Sequence, residues 1–209
     1  MSWNNYSNHM HDVTINQLLI HNYTKYNTRT RHNKGLYIHL DHTMYHVNVL
    51  LTNSKFHIMD QSAFLIRNRF SLTTKQIYII NCMFELISSA FPAIDIRVSP
   101  FNKTVSFINC EFLSNTELIK ITIRRCRSLF DCELIINNAM MLTNISFVRC
   151  QFIKNKHRIM LIENKDPKLG KVNVLLESLV ISQNDPRQVA ENSIISITAM
   201  NVHINDTDF

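Results

Sequence analysis

The sequence predicts an all-β chain: a single-stranded, right-handed parallel β-helix solenoid of about seven irregular coils. Three observations lead there. An eight-residue apolar pattern recurs at intervals of 23–40 residues, a period that marks solenoids and other arrays. Most recurrences are followed by a second β-branched run of strand length. Glycine is almost absent, with only Gly35 and Gly170 in 209 residues, where average usage would give about fifteen. Hairpin-rich sandwiches and barrels need glycine for tight turns, so this chain turns with another residue. Asparagine tolerates the left-handed region best after glycine, and it sits in the breaks between the apolar runs.

The pattern is apolar, any, apolar, any, any, small or apolar, any, apolar. Weak copies open and close the chain, Val13-Thr-Ile-Asn-Gln-Leu-Leu-Ile20 and Ile197-Thr-Ala-Met-Asn-Val-His-Ile204. Between them lie Val49-Leu-Leu-Thr-Asn-Ser-Lys-Phe56, Ile77-Tyr-Ile-Ile-Asn-Cys-Met-Phe84, Val105-Ser-Phe-Ile-Asn-Cys-Glu-Phe112, Ile145-Ser-Phe-Val-Arg-Cys-Gln-Phe152 and Val174-Leu-Leu-Glu-Ser-Leu-Val-Ile181. Alternation with period two predicts a strand. The change of spacing from two to three, as between Phe107 and Cys110, predicts a bend at Ile108-Asn109. Asn53, Asn81, Asn109 and Asn201 occupy that place in their copies, where stacked amides would form a side-chain ladder. The second strands are expected at residues 63–66, 93–98, 118–123, 159–162 and 194–197. Coils stacked about 4.8 Å apart pile like side chains together. The expected columns are Phe56, Phe84, Phe112 and Phe152, beside Ser54, Cys82, Cys110 and Cys150.

Residues 1–12 read as a polar N-terminal extension and 13–209 as the solenoid domain, a segment of a longer one because no capping helix protects its edges. Residues 21–37 read as a polar loop and residues 124–138 as the largest insertion. The motifs Ile-Asn-Cys-Met-Phe84 and Phe-Ile-Asn-Cys-Glu-Phe-Leu-Ser-Asn115 resemble right-handed parallel β-helix proteins of the pectate-lyase-like group, and within it adhesin-type repeats. The resemblance spans roughly residues 13–207 and lacks that group's turn glycines. The rival solenoid, a leucine-rich repeat, fits Leu118-Ile-Lys-Ile-Thr-Ile-Arg-Arg-Cys126 but not the other copies.

The five cysteines divide in two. Cys82, Cys110 and Cys150 have parallel side-chain directions, a poor geometry for bridges, and are expected as buried thiols. Cys126 and Cys132 bracket a short insertion and are candidates for a loop-closing disulfide in an oxidising compartment. Neither set has zinc spacing. Glycosylation acceptors fall at Asn5, Asn22, Asn102, Asn144 and Asn205 by the Asn-x-Ser/Thr rule. His39, His42 and His46 would align on a helix, but their surroundings alternate like a strand, so no metal site is expected there. No catalytic residue and no cofactor is predicted. The acids Asp60, Asp95, Asp131, Glu163 and Asp185 fall at different coil phases, and Asp95 with Arg97 is the nearest approach to an acid–base pair.

The net charge of +6 favours anionic partners weakly, and basic residues are not interleaved with aromatics as a nucleic-acid platform requires. Partners are therefore expected among glycans or other surface proteins, with nucleic acid disfavoured. No apolar run approaches the ~18 residues of a transmembrane helix. The N-terminus lacks an apolar signal core, so the chain is expected either as part of a larger surface protein or as a cytoplasmic one if Met1 is its true start. The function expected is a non-catalytic module for adhesion or spacing. The alternatives are a carbohydrate-active enzyme or glycan-binding module on the solenoid face, and an intracellular leucine-rich-like scaffold.

Overall fold

The computed structural model describes residues 12–23, 35–40, 47–68, 74–89, 91–98, 103–123, 141–165, 170–185 and 194–208. Within them lie nineteen strands, β1–β19 in chain order, and no helix. Every pairing is parallel, and every strand pairs with the one three places along the chain. That is a parallel β-helix with three strands per coil, because parallel neighbours need a crossover and here the crossover is the rest of the coil.

The first sheet holds β1 (Val13–Asn16), β4 (Val47–Thr52), β7 (Thr74–Ile80), β10 (Lys103–Ile108), β13 (Met141–Val148), β16 (Gly170–Glu177) and β19 (Asn201–Asn205). The second holds β2 (Leu19–Tyr23), β5 (Lys55–Met59), β8 (Met83–Ile87), β11 (Glu111–Leu113), β14 (Gln151–Ile153) and β17 (Val180–Ser182). The third holds β3 (Leu36–Leu40), β6 (Phe64–Asn68), β9 (Ile94–Val98), β12 (Ile119–Ile123), β15 (Met160–Asn164) and β18 (Ile195–Ile197). The eight-residue pattern therefore writes one first-sheet strand, one corner and one second-sheet strand. The second β-branched run writes the third sheet.

Register places like residues above like. Val49, Ile77, Val105, Ile145, Val174 and Val202 form one inward column. Phe56, Phe84, Phe112 and Phe152 form another, each 0% exposed. Their rings stack with centroids 5.0, 5.3 and 4.8 Å apart and planes within 10° of parallel. Phe107 and Phe147 stack likewise at 4.6 Å and meet the phenylalanine column at steep angles, at Phe112 and Phe152. The core is thus a set of columns one residue wide, in which buried apolar side chains stack on apolar side chains of neighbouring coils.

The corners explain the missing glycines. Gln17, Asn53, Asn81, Asn109, Arg149, Ser178 and Asp206 all take positive φ, between 45° and 56°, at the first corner. The N–H groups of the first six donate to the next coil, as in Asn53 N to Ile80 O at 3.0 Å and Asn81 N to Ile108 O at 2.9 Å. Corner and strands therefore share one continuous ladder, which offsets the left-handed cost at each turn. Gly35 serves another purpose: its φ is not positive, but an added Cβ would lie 2.8 Å from the Ala63 carbonyl oxygen.

The second corner repeats the device with Asn22, Ile58, Leu86, Ser114, Lys154 and Gln183, φ 51–55°. Ile58 is a β-branched residue held at φ 51° and 39% exposed, a conformation that costs ~1–2 kcal/mol without compensation. Ile58→Asn is expected to raise stability by up to about 1 kcal/mol, since asparagine accepts this backbone and little buried area is lost. A urea melt of the two proteins measures it.

Two expectations need correction. The closing repeat begins at Val202, not Ile197. Ile197 belongs to β18 and pairs with Ile162, while Val202 pairs with Val174. The corner residue of that coil is Asp206 rather than Asn201. Nor are residues 21–37 wholly a loop, since β2 runs to Tyr23 and β3 starts at Leu36.

Candidate functional site

Function on a solid solenoid falls to its outer faces and corners. Three constructions stand out, and two of them are asparagine ladders. On the exposed first corner Asn53 Nδ2 donates to Asn16 Oδ1 at 2.9 Å, Asn81 to Asn53 at 3.2 Å and Asn109 to Asn81 at 3.1 Å. Asn201 does not continue this ladder. It lies on the outer face of the first sheet, donating to Asn173 at 3.0 Å, which donates to Asn144 at 3.3 Å. That face carries a polar column through six strands: Asn48, Gln76, Thr104, Asn144, Asn173 and Asn201.

The second ladder is buried and was missed in the sequence. Asn115, Asn155 and Asn184 follow their core residues Phe112, Phe152 and Ile181 by three positions, a spacing that could have revealed it. Asn115 and Asn155 are 0% exposed. Asn115 Nδ2 donates to Phe84 O at 2.8 Å and to Asn155 Oδ1 at 3.1 Å; Asn155 Nδ2 donates to Phe112 O at 2.9 Å and to Asn184 Oδ1 at 3.0 Å. Each Oδ1 also accepts a backbone N–H from the preceding coil, Ile87 to Asn115, Asn115 to Asn155 and Asn155 to Asn184. The amides satisfy the second corner from inside, as buried polar groups require.

The third construction is a charged patch on the outer face of the third sheet. Asp95 and Lys120 are lateral neighbours, as are Arg97, Thr122 and Glu163. Asp95 is buried although it faces outward, and Arg97 clamps it with Nε 3.0 and 2.9 Å from the two carboxylate oxygens and Nη2 on Oδ2. This bond raises the Arg97 pKa further. Glu163 lies 3.4 Å from Lys120 Nζ and 3.0 Å from Lys165 Nζ. Burial pushes the Glu163 carboxyl up, but Lys165 and Lys120 outweigh it and leave its pKa lowered. As expected, Asp95 and Glu163 occupy different phases, Asp95 in register with Lys120 and Glu163 with Thr122 and Arg97, and strand register nonetheless gathers them, with three cations, onto three adjacent coils. Parallel pairing did this, and sequence distance hid it.

The other residues singled out in the sequence are placed as follows. Asn22 sits exposed at the second corner and Asn205 exposed at the end of β19. Asn144 is exposed on β13 but engaged by Asn173. Asn5, Asn102, Cys126, Cys132, His42 and His46 lie outside the described residues. Cys82, Cys110 and Cys150 are free thiols, at most 1% exposed. Each sulfur lies 3.3–3.6 Å from two backbone carbonyls, Cys110 from those of Ile79 and Ile108. Burial raises the Cys82 pKa to about 11, and the hydrogen bond with Cys150 together with burial raises that of Cys110, so these two thiols carry little thiolate character, while the same contact lowers the pKa of Cys150. Among the described residues no group of three or more His, Cys, Asp or Glu is arranged to hold a metal, and no helix is long and apolar enough to cross a membrane. No protein-family model, curated protein or solved structure matches the chain.

Proposed function

We propose that the chain is a non-catalytic β-helix module of a surface or secreted protein, one that spaces or adheres, with glycans as the partner class of its long polar face. The observation that carries this reading is the first sheet. Six of its seven strands, β4 to β19, present a column of five amides and one hydroxyl with the ~4.8 Å repeat of the backbone beneath, a surface suited to an extended polar polymer. The sequence resemblance to pectate-lyase-like and adhesin-type β-helices supports it, as do exposed glycosylation acceptors at Asn22 and Asn205.

The charged patch on the third sheet favours a second reading, a carbohydrate-active enzyme. Against catalysis stands the pairing: Asp95 is engaged by Arg97, and two lysines hold Glu163 and leave its pKa lowered, the opposite of what a general acid needs. One experiment separates the readings. The chain is incubated with a panel of neutral and acidic polysaccharides, and both retention on immobilised polymer and release of new chain ends are measured. Retention without cleavage supports adhesion, and Asn173→Ala should then weaken it. Cleavage abolished by Asp95→Asn or Glu163→Gln would replace the proposal with the enzymatic reading, and silence in both assays would remove the glycan-binding claim.

A further inference from the structure

A fourth constellation lies on the outer face of the second sheet, away from both surfaces just described. His21 on β2 and His57 on β5 are register partners on adjacent coils. Their rings stack with centroids 4.8 Å apart and planes 26° from parallel. The two Nδ1 atoms face each other at 2.8 Å. The next residue in the column is Glu85 on β8. Its carboxylate lies 3.6 Å from His57 Nε2 and 3.1 Å from Lys55 Nζ.

Two neutral imidazoles can hold this geometry only if one Nδ1 carries a proton and the other presents a lone pair. Glu85 beside Nε2 of His57 favours the proton there, which leaves His57 Nδ1 bare and aimed at His21. A carboxylate behind the remote nitrogen is the arrangement that orients metal-binding histidines and raises their basicity. We propose that His21 and His57 form a two-imidazole site for a divalent transition metal, with Glu85 as the positioning residue and water completing the coordination.

The geometry also selects the metal. Two metal–nitrogen bonds of ~2.0–2.1 Å span about 2.9 Å at a right angle and about 3.3 Å at a tetrahedral one. The observed 2.8 Å is close to the first. Adjacent positions of a square-planar or tetragonal ion fit, which favours Cu²⁺ or Ni²⁺ over Zn²⁺. The Nδ1 lone pairs must converge, and this needs only rotation about χ2 of each ring, a soft torsion for histidine. The ion takes the place of the shared proton, which leaves to solvent as the two Nδ1–metal bonds form. Both histidines sit on strands fixed by pairing to neighbouring coils, so their backbones are placed side by side before any metal arrives.

Eight of the ten histidines lie at or before residue 57, so the assignment must rest on differences between variants rather than on bulk uptake. Cu²⁺ is titrated into the full 209-residue chain and followed by calorimetry and by electron paramagnetic resonance. One equivalent should bind with hyperfine structure from two imidazole nitrogens. Affinity should fall at least tenfold in His21→Gln and in His57→Gln, fall several-fold in Glu85→Gln, and stay unchanged in His203→Gln, with far-UV dichroism the same throughout. Zn²⁺ should bind more weakly than Cu²⁺. Folded His21→Gln and His57→Gln proteins with affinity within twofold of the parent would overturn the site. A second measurement uses the unaltered chain with ¹⁵N-labelled histidine: substoichiometric Cu²⁺ should broaden the His21 and His57 ring signals first, and earlier broadening of other histidines would equally overturn it.

Discussion

Phe112→Ala is expected to lower the unfolding free energy by about 3–5 kcal/mol, the range for deleting a fully buried phenylalanine. Its ring is stacked on both sides, by Phe84 at 5.3 Å and Phe152 at 4.8 Å, and is met edge-on by Phe107 at 6.2 Å. Truncation leaves a hole bounded by two rings that the backbone ladders hold one coil above and one coil below. The walls cannot close without breaking register, so the cavity term is retained rather than relaxed. Phe56→Ala is expected to cost less, because among the described residues that ring stacks on Phe84 alone and pairs with Ile20 on its other side. Paired aromatics add ~0.5–1.5 kcal/mol beyond area, which sets the scale of the difference. Denaturant melts of both variants give the comparison. Equal losses at the two positions would mean that the rings do not act as a stack.

Asn155→Leu is the second large effect, a loss of about 3 kcal/mol despite the gain of an apolar side chain at a position that is 0% exposed. Volume is not the obstacle, because Ile87 and Met59 occupy the same station at the second corner two and three coils earlier, each at the third place after its phenylalanine. The obstacle is polar satisfaction. Asn155 accepts from the Asn115 N–H and Nδ2, and it donates to Phe112 O and Asn184 Oδ1. Leucine leaves those groups in the interior without partners, at a cost of ~1–3 kcal/mol for each that water cannot reach. Asn184→Leu, with Asn184 half-buried at the end of the ladder, should cost clearly less. If the two substitutions prove equivalent in a urea melt, the ladder carries no cooperative stabilisation.

The architecture was readable because the chain writes the same corner again and again. A solenoid puts each residue above its counterpart, so the phenylalanine and cysteine columns are visible as spacing before any coordinate is known. The closing coil shows where spacing misleads. Ile197 and Ile204 satisfy the apolar template, but Ile197 ends a third-sheet strand while Val202 and Ile204 fill first-sheet stations at 44% and 53% exposure. Apolar letters alone do not say which sheet they belong to. Asn201 was drawn into the wrong ladder for the same reason.

The functional surfaces were less legible. Asp95, Lys120 and Glu163 are far apart in sequence and touch the same patch only through strand register, which depends on coil lengths that vary with insertions. His21 and His57 likewise become a pair only once their two coils are aligned. The buried amides of Asn115, Asn155 and Asn184 were hidden for a different reason: an asparagine in a gap between strands reads as a turn residue, and only the structure shows it turned inward.

The central physical claim is that successive coils lie in register, so that equivalent side chains touch. Nuclear Overhauser contacts between selectively labelled phenylalanine rings test it most directly. Contacts should connect Phe56 with Phe84, Phe84 with Phe112 and Phe112 with Phe152, and none should connect Phe56 with Phe112. Absence of the Phe84–Phe112 contact in the folded chain, or a contact that skips a coil, would contradict the stacked solenoid.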